Sequence, residues 1–120
     1  MADKDQIGLT PAGSSVMDRL LERGYFSGKD EAAKFAAALA MERGTPAEPV
    51  RGATTTWNAR TLDATGELKT AIVLLYEHPE PYRALEGLID SGLRLLGDHM
   101  AERGDLILSE LLTHSDQHDI

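Results

Sequence analysis

The sequence predicts a mostly α-helical protein in which a short N-terminal strand is followed by about five helices. Residues 6–10 alternate polar and apolar side chains, which is typical of a half-buried strand. From Pro11 onward, apolar residues recur mainly at helical spacing, and proline, glycine and capping residues separate the segments. We therefore divide the chain into a strand-helix-helix unit (1–44), a linker or extended segment (45–61), a helical unit (62–113) and a polar tail (114–120).

The first helix has start and stop signals at both ends. Thr10 can cap its N-terminus, and Pro11 falls where a missing N–H group is harmless. Gly24 is the expected terminator. Between them lies an apolar stripe that would face the core, formed by Val16, Met17, Leu20 and Leu21.

The second helix is expected to begin after Ser27 as its cap and to end near Arg43. Its predicted buried stripe is Ala32, Phe35, Ala36, Leu39 and Ala40. The run of small residues at 36–40 places alanine on several sides of this helix, which favours packing all round. A dimer interface is the favoured explanation, and a core within one chain is the alternative.

The segment after this helix should be extended. The prolines at positions 46 and 49 forbid a helix there. Threonines 54–56 favour extended backbone, and Trp57, the single tryptophan, is expected to anchor the segment to the core.

The remaining helices lie in the C-terminal half. Asp63 is expected to cap a third helix over residues 64–77, and Pro79 and Pro81 separate it from a fourth over residues 80–102. A short last helix should follow Asp105. The apolar stripe of the third helix is Leu68, Ala71, Ile72, Leu75 and Tyr76, and the inner face of the fourth is Tyr82, Leu85, Leu88, Ile89, Gly92, Leu93, Leu96 and Met100.

Glycines recur within the predicted fourth helix, at Gly87, Gly92 and Gly97. Glycine weakens a helix, but it also lets a neighbouring element approach closely. We therefore expect this helix to be tightly packed.

The N-terminal unit resembles the ribbon-helix-helix family through Ile7, Leu9, Thr10 and Pro11, then residues 24–27, then Ala32, Phe35, Ala36 and Leu39. The resemblance implies a homodimer in which two strands form an antiparallel ribbon that enters the DNA major groove. It implies that the dimer interface includes Ile7, Leu9, Phe35, Ala36 and Leu39. It also implies that the DNA-facing side chains of the ribbon are Lys4, Gln6, Gly8 and Thr10.

The start of the second helix is a candidate phosphate contact. Ser27, Gly28 and Lys29 offer backbone N–H groups and a positive charge at a helix N-terminus. The alternative is an ordinary capped turn.

Composition limits the classes of function. The chain has no cysteine, which excludes disulfides and thiol nucleophiles and favours a cytoplasmic location; no membrane span or signal peptide is predicted. The net charge is −8, and it is uneven: residues 1–44 carry six basic and seven acidic side chains, whereas residues 45–120 carry six and thirteen. Non-specific DNA binding is therefore confined to the N-terminal unit.

No catalytic arrangement is apparent, so we expect no enzyme activity and no cofactor. His114 and His118 have a spacing that could bind a metal, but no third ligand accompanies them, and a polar tail is the preferred interpretation. Glu86 and Asp90 are one helical turn apart, and we interpret them as part of a solvated face.

The sequence thus predicts a small cytoplasmic dimeric regulator or accessory protein that binds DNA through its N-terminal unit and a partner protein through its acidic C-terminal half. The alternative is an oligomerisation or protein-interaction module, belonging to a multi-component bacterial system, that does not bind DNA.

Overall fold

The computed structural model describes residues 3–112, so the tail and its two histidines, His114 and His118, lie outside the described residues. The described chain is mostly α-helical with a short N-terminal strand, as predicted. Its elements are β1 (Gln6–Leu9), α1 (Pro11–Glu22), α2 (Lys29–Glu42), β2 (Thr54–Asn58), α3 (Ala59–Leu62), α4 (Glu67–Tyr76), α5 (Pro81–Arg103) and α6 (Leu108–Leu112). Among these residues, no helix combines the length and apolar character needed to cross a membrane.

The predicted boundaries of α1 are confirmed. The Thr10 hydroxyl accepts a hydrogen bond from the Gly13 N–H at 3.0 Å, and Pro11 is the first helical residue. Arg23 ends the helix, and Gly24 follows with a φ of +73°, a conformation that glycine adopts without strain.

The cap predicted for α2 is wrong. Gly28 occupies the N-cap position and makes no side-chain cap bond. Ser27 lies one residue earlier, and its hydroxyl donates to the Glu31 carboxylate at 2.9 Å. The helix therefore starts one residue later than the Ser27 cap implies.

The two strands pair with each other in antiparallel orientation. Ile7 lies opposite Trp57 and Gly8 opposite Thr55, with a register irregularity between Ile7 and Gly8. Trp57 is buried as predicted, and its indole N–H donates to the Asp30 carboxylate on α2. The partner of β1 is thus the segment that the sequence marks as extended, so the strand is paired within the chain.

Helix α5 is the centre of the fold and packs against α1, α2, α4 and β1. The prediction that its glycines permit close packing is confirmed. A Cβ atom on Gly92 would collide with the Ala36 carbonyl of α2, one on Gly87 with the Glu48 carbonyl, and one on Gly97 with the Val16 side chain. The predicted inner face is buried, apart from the half-buried Tyr82.

Five of the six alanines of α2 are buried, and Ala38 is exposed. Ala32, Ala36 and Ala40 are fully buried within one chain. A dimer interface was favoured because small residues on several sides of this helix indicate that other residues enclose it. The core of one chain already covers the buried alanines, so the alternative, a core within one chain, accounts for their burial.

Asp63 binds the N-terminus of α4, but it lies before the N-cap of that helix. It ends α3, and Gly66 is the N-cap of α4, so the predicted helix start at residue 64 is wrong. The Asp63 carboxylate nevertheless accepts hydrogen bonds from the N–H groups of Leu68 and Lys69, both at 3.0 Å. It satisfies first-turn donors that the helix itself leaves unpaired.

The C-terminal segment folds back over α5. The short last helix begins at Leu108, three residues after Asp105, whose carboxylate accepts instead from the adjacent Leu106 N–H. The His99 imidazole accepts from the Ile107 N–H at 3.0 Å, and Leu106 and Leu111 are buried.

Candidate functional site

The sequence predicts that four residues in and beside β1 contact DNA, but most of them do not face solvent. Gln6 is exposed and Lys4 is half-buried, whereas Gly8 and Thr10 are buried. The prediction that these four residues share an outward face is therefore wrong. Gly8 lies against the Thr54 carbonyl of β2, and Thr10 lies beyond the strand, where its hydroxyl caps α1 and donates to the Asp90 carboxylate of α5.

At Gly8, the backbones of β1 and β2 approach each other closely. A Cβ atom there would collide with the Thr54 carbonyl of β2. The other side of Gly8 is occupied too, because its N–H donates to the Glu86 carboxylate of α5 at 2.9 Å. The residue therefore serves the packing of β1 between β2 and α5.

Two buried carboxylates on α5 bind the N-terminal segment. Glu86 and Asp90 are 3% and 8% exposed, so the prediction of a solvated face is wrong. Glu86 also pairs with the Lys4 ammonium at 2.7 Å. Asp90 accepts from the Thr10 hydroxyl at 2.6 Å and pairs with Arg94 at 2.9 Å.

The carboxylates are hydrogen-bonded, as buried charges must be. Their partners Lys4, Gly8 and Thr10 lie about eighty positions earlier in the chain, which is why helical spacing alone did not reveal the contact.

The start of α2 is a separate surface. Ser27 and Lys29 are exposed, and Gly28 is half-buried. Lys4 and Gln6 line one cleft, and Ser27, Gly28 and Lys29 are not among its lining residues. The seven predicted DNA contacts therefore do not form one continuous site in the single chain.

The residues predicted for the dimer interface lie in the core of one chain. Ile7, Leu9, Ala36 and Leu39 are buried there. Phe35 is half-buried and packs against Phe26, with ring centroids 5.4 Å apart. Burial of these side chains does not require a second copy, and homodimerisation stays a prediction.

Among the residues whose side chains the structure describes, the two most exposed large apolar side chains, Leu74 and Leu75, lie on α4. We call Val73, Leu74 and Leu75, which are 44%, 75% and 64% exposed, the α4 apolar surface. Within α4, all of which is described, Ile72 alone is buried. The predicted stripe of this helix is therefore only partly covered, since Leu75 is exposed and Leu68 and Tyr76 are half-buried.

Acidic residues flank this surface at both ends. Glu67 begins α4, and Glu77 follows its last residue with a φ of +53°, which terminates the helix in the left-handed conformation. Both side chains are exposed.

A polar cleft of about 720 Å³ lies beside the strand pair. Its lining consists of Asp3, Lys4, Asp5, Gln6, Asn58, Ala59, Arg60, Lys69 and Tyr82. Burial raises the pKa of the Tyr82 hydroxyl above its usual value of 10.0, and the Asp63 carboxylate raises it further through its charge and a hydrogen bond at 3.2 Å. Arg60 opposes that shift, so the cleft combines a neutral phenol with positively charged side chains.

Within residues 3–112, no group of three His, Cys, Asp or Glu side chains is arranged to hold a metal ion. Comparison of the chain with protein-family models, curated proteins and solved structures found no match. The proposals below therefore depend on the geometry of this chain.

Proposed function

We propose that this protein is a small interaction module that binds a partner protein through the α4 apolar surface. The single observation that carries the proposal is the exposure of Leu74 and Leu75 on consecutive positions of a helix with one buried residue. Large exposed apolar side chains that cluster on one short helix are a mark of interaction sites on small domains.

The free energy available at this surface is substantial. Burying a leucine side chain contributes about 1.5–3 kcal/mol relative to leaving it in water. Removing Leu74 and Leu75 from water together would therefore contribute enough to anchor a contact, provided that the partner offers a complementary apolar face.

The charges beside the surface favour a basic partner. Glu67 and Glu77 lie at the two ends of α4, and residues 45–120 carry thirteen acidic and six basic side chains. Two copies of α4 packed antiparallel would bring Glu67 of one copy near Glu77 of the other, where like charges repel. A partner segment with apolar side chains flanked by Lys or Arg fits better than a second copy.

A synthetic amphipathic peptide tests this chemistry directly. We expect the chain to bind a labelled helix that carries leucines on one face with lysines beside them, and to bind more weakly when glutamates replace the lysines. Replacing Leu74 and Leu75 with Ser should weaken binding at least about tenfold. Fluorescence anisotropy measures both effects.

Leu108, which is 45% exposed on α6, provides the matched control. Leu108→Ser should leave peptide binding unchanged. Equal affinity for the lysine and glutamate peptides, or equal loss in Leu108→Ser, would contradict the proposal. So would sedimentation showing a dimer that Leu74→Ser dissociates, because the occupant would then be a second copy.

A further inference from the structure

The cleft beside the strand pair presents hydrogen-bond donors more than acceptors. The Asn58 side-chain oxygen accepts from the Arg60 N–H at 2.9 Å. Because a backbone N–H can only donate, this contact fixes the orientation of the amide and leaves the Asn58 NH₂ group for a ligand. In the structure the Gln6 side-chain oxygen accepts from the Thr55 hydroxyl at 3.3 Å, and this orientation of the amide leaves its NH₂ group for a ligand.

Two cations of the lining remain available. The Arg60 guanidinium makes no hydrogen bond or ion pair with the residues that the structure describes, and the Lys69 ammonium lies 5.8 Å from the centre of the Tyr82 ring. Both side chains belong to exposed residues. Lys4, the third cation, is already paired with Glu86.

The carboxylates that line the cleft neutralise the charge of these cations only in part. Asp3 accepts from the backbone N–H groups of Tyr82 and Arg83 at 2.7 and 3.0 Å, at the start of α5. The positive end of that helix therefore stabilises the Asp3 carboxylate, whose charge still raises the pKa of the Tyr82 hydroxyl. Asp5 is exposed and is the remaining acidic group of the lining, so the lining offers the two cations Arg60 and Lys69 beside one exposed carboxylate, with the buried Asp63 carboxylate behind Tyr82.

We propose that this cleft binds a small phosphorylated molecule, with its phosphate held by Arg60, Lys69 and the amide groups of Asn58 and Gln6. Guanidinium and amide N–H groups suit the ionised oxygens of a phosphate, which accept hydrogen bonds. A concave site of this volume is in the range of small-molecule pockets. A net charge of −8 opposes a polyanion, which favours a free phosphate ester over a nucleic-acid backbone.

Calorimetric titration with inorganic phosphate, ribose 5-phosphate and a short DNA duplex tests the proposal. We expect saturable binding of the sugar phosphate, weaker binding of inorganic phosphate and no binding of DNA. Arg60→Gln should weaken binding of the sugar phosphate at least about tenfold, since it removes a charge-assisted hydrogen bond.

Asn58→Asp is the sharper variant. An aspartate keeps the oxygen that caps α3 but replaces the NH₂ donor with a negative oxygen, so binding should be lost while the thermal melt is retained. Lys29→Gln removes an exposed cation outside the cleft and should change nothing.

Three outcomes would overturn the proposal. They are the absence of sugar-phosphate binding at millimolar concentration, binding that survives both Arg60→Gln and Asn58→Asp, and binding that Lys29→Gln abolishes. DNA binding that is lost in the cleft variants, without sugar-phosphate binding, would assign the phosphate to nucleic acid and would also overturn it.

Discussion

At the scale of single residues, the fold depends on glycines at positions where a side chain would collide with a neighbouring element. Gly92 lies against the Ala36 carbonyl, and its missing Cβ lets α5 and α2 approach along their backbones. Glycine in a helix interior costs roughly 0.5–1 kcal/mol relative to alanine. The contact it permits must offset that cost, because both helices contribute buried residues to the core on either side of it.

Gly92→Ala should therefore destabilise the protein, despite the higher helix propensity of alanine. Overpacking of a core typically costs about 1–3 kcal/mol, and here the obstacle is backbone, which cannot rotate away. Urea unfolding measures the loss. Gly28→Ala is the control, because nothing lies within 4 Å of the added Cβ and its backbone is extended, so only the smaller cost of alanine at the N-cap of α2 is expected. Equal stability of the two variants would contradict the close packing.

The Tyr82 hydroxyl makes stability depend on pH in the alkaline range. Its folded-state pKa is raised from 10.0, first by burial and then by Asp63. As the pH rises, the unfolded chain loses the phenolic proton at a lower pH than the folded chain does. The stability that protonated Tyr82 contributes is therefore fully present below pH 10 and is lost as the pH rises through the folded-state pKa. In urea unfolding above pH 10, Tyr82→Phe should lose stability less steeply than the wild type. Parallel declines would contradict the assignment.

At the scale of elements, β1 is held between β2 and α5. Backbone pairing fixes one side of the strand, and the carboxylates of Glu86 and Asp90 hold the other through Lys4, Gly8 and Thr10. A strand of four residues has little stability of its own. Its place in the fold therefore depends on the helix behind it.

Glu86→Gln should loosen β1 while leaving the helices in place. The glutamine amide presents its NH₂ group to a donor, either the Gly8 N–H or the Lys4 ammonium, and an unsatisfied buried donor costs about 1–3 kcal/mol. Hydrogen exchange of the Gly8 amide should accelerate, and urea unfolding should report the lost stability.

Glu80→Gln provides the comparison, because Glu80 pairs with the more exposed Arg83 at the start of α5. Such surface pairs contribute little, so its effect should stay within about 0.5 kcal/mol. A Gly8 amide that exchanges equally slowly in Glu86→Gln and in the wild type would show that β1 is held by other contacts.

At the scale of the whole molecule, local signals predicted most of the elements, but not the short helix α3, and failed to predict which elements pair. The Thr10 cap, Gly24 and the glycines of α5 followed from backbone physics that a sequence displays directly. The pairing of β1 with β2 joins segments about fifty residues apart, and no local pattern specifies that register. The buried role of Glu86 and Asp90 was missed for the same reason.

The candidate surfaces were less predictable than the fold. Leu75 belongs to a regular apolar stripe, which predicts burial, and only the arrangement of α5 beneath α4 shows that one side of the helix remains uncovered. The donor character of the cleft depends on which amide oxygens are already bonded. Neither property can be read from residue type.

The central claim, that the protein binds a partner segment through the α4 apolar surface, is tested most directly by NMR amide shifts during titration with the lysine-flanked leucine peptide. We expect the largest shifts in residues 67–77, few in α6 around Leu108, and none of this pattern in the Leu74→Ser, Leu75→Ser variant. Shifts centred on any other surface, or the same pattern in the variant, would contradict the claim.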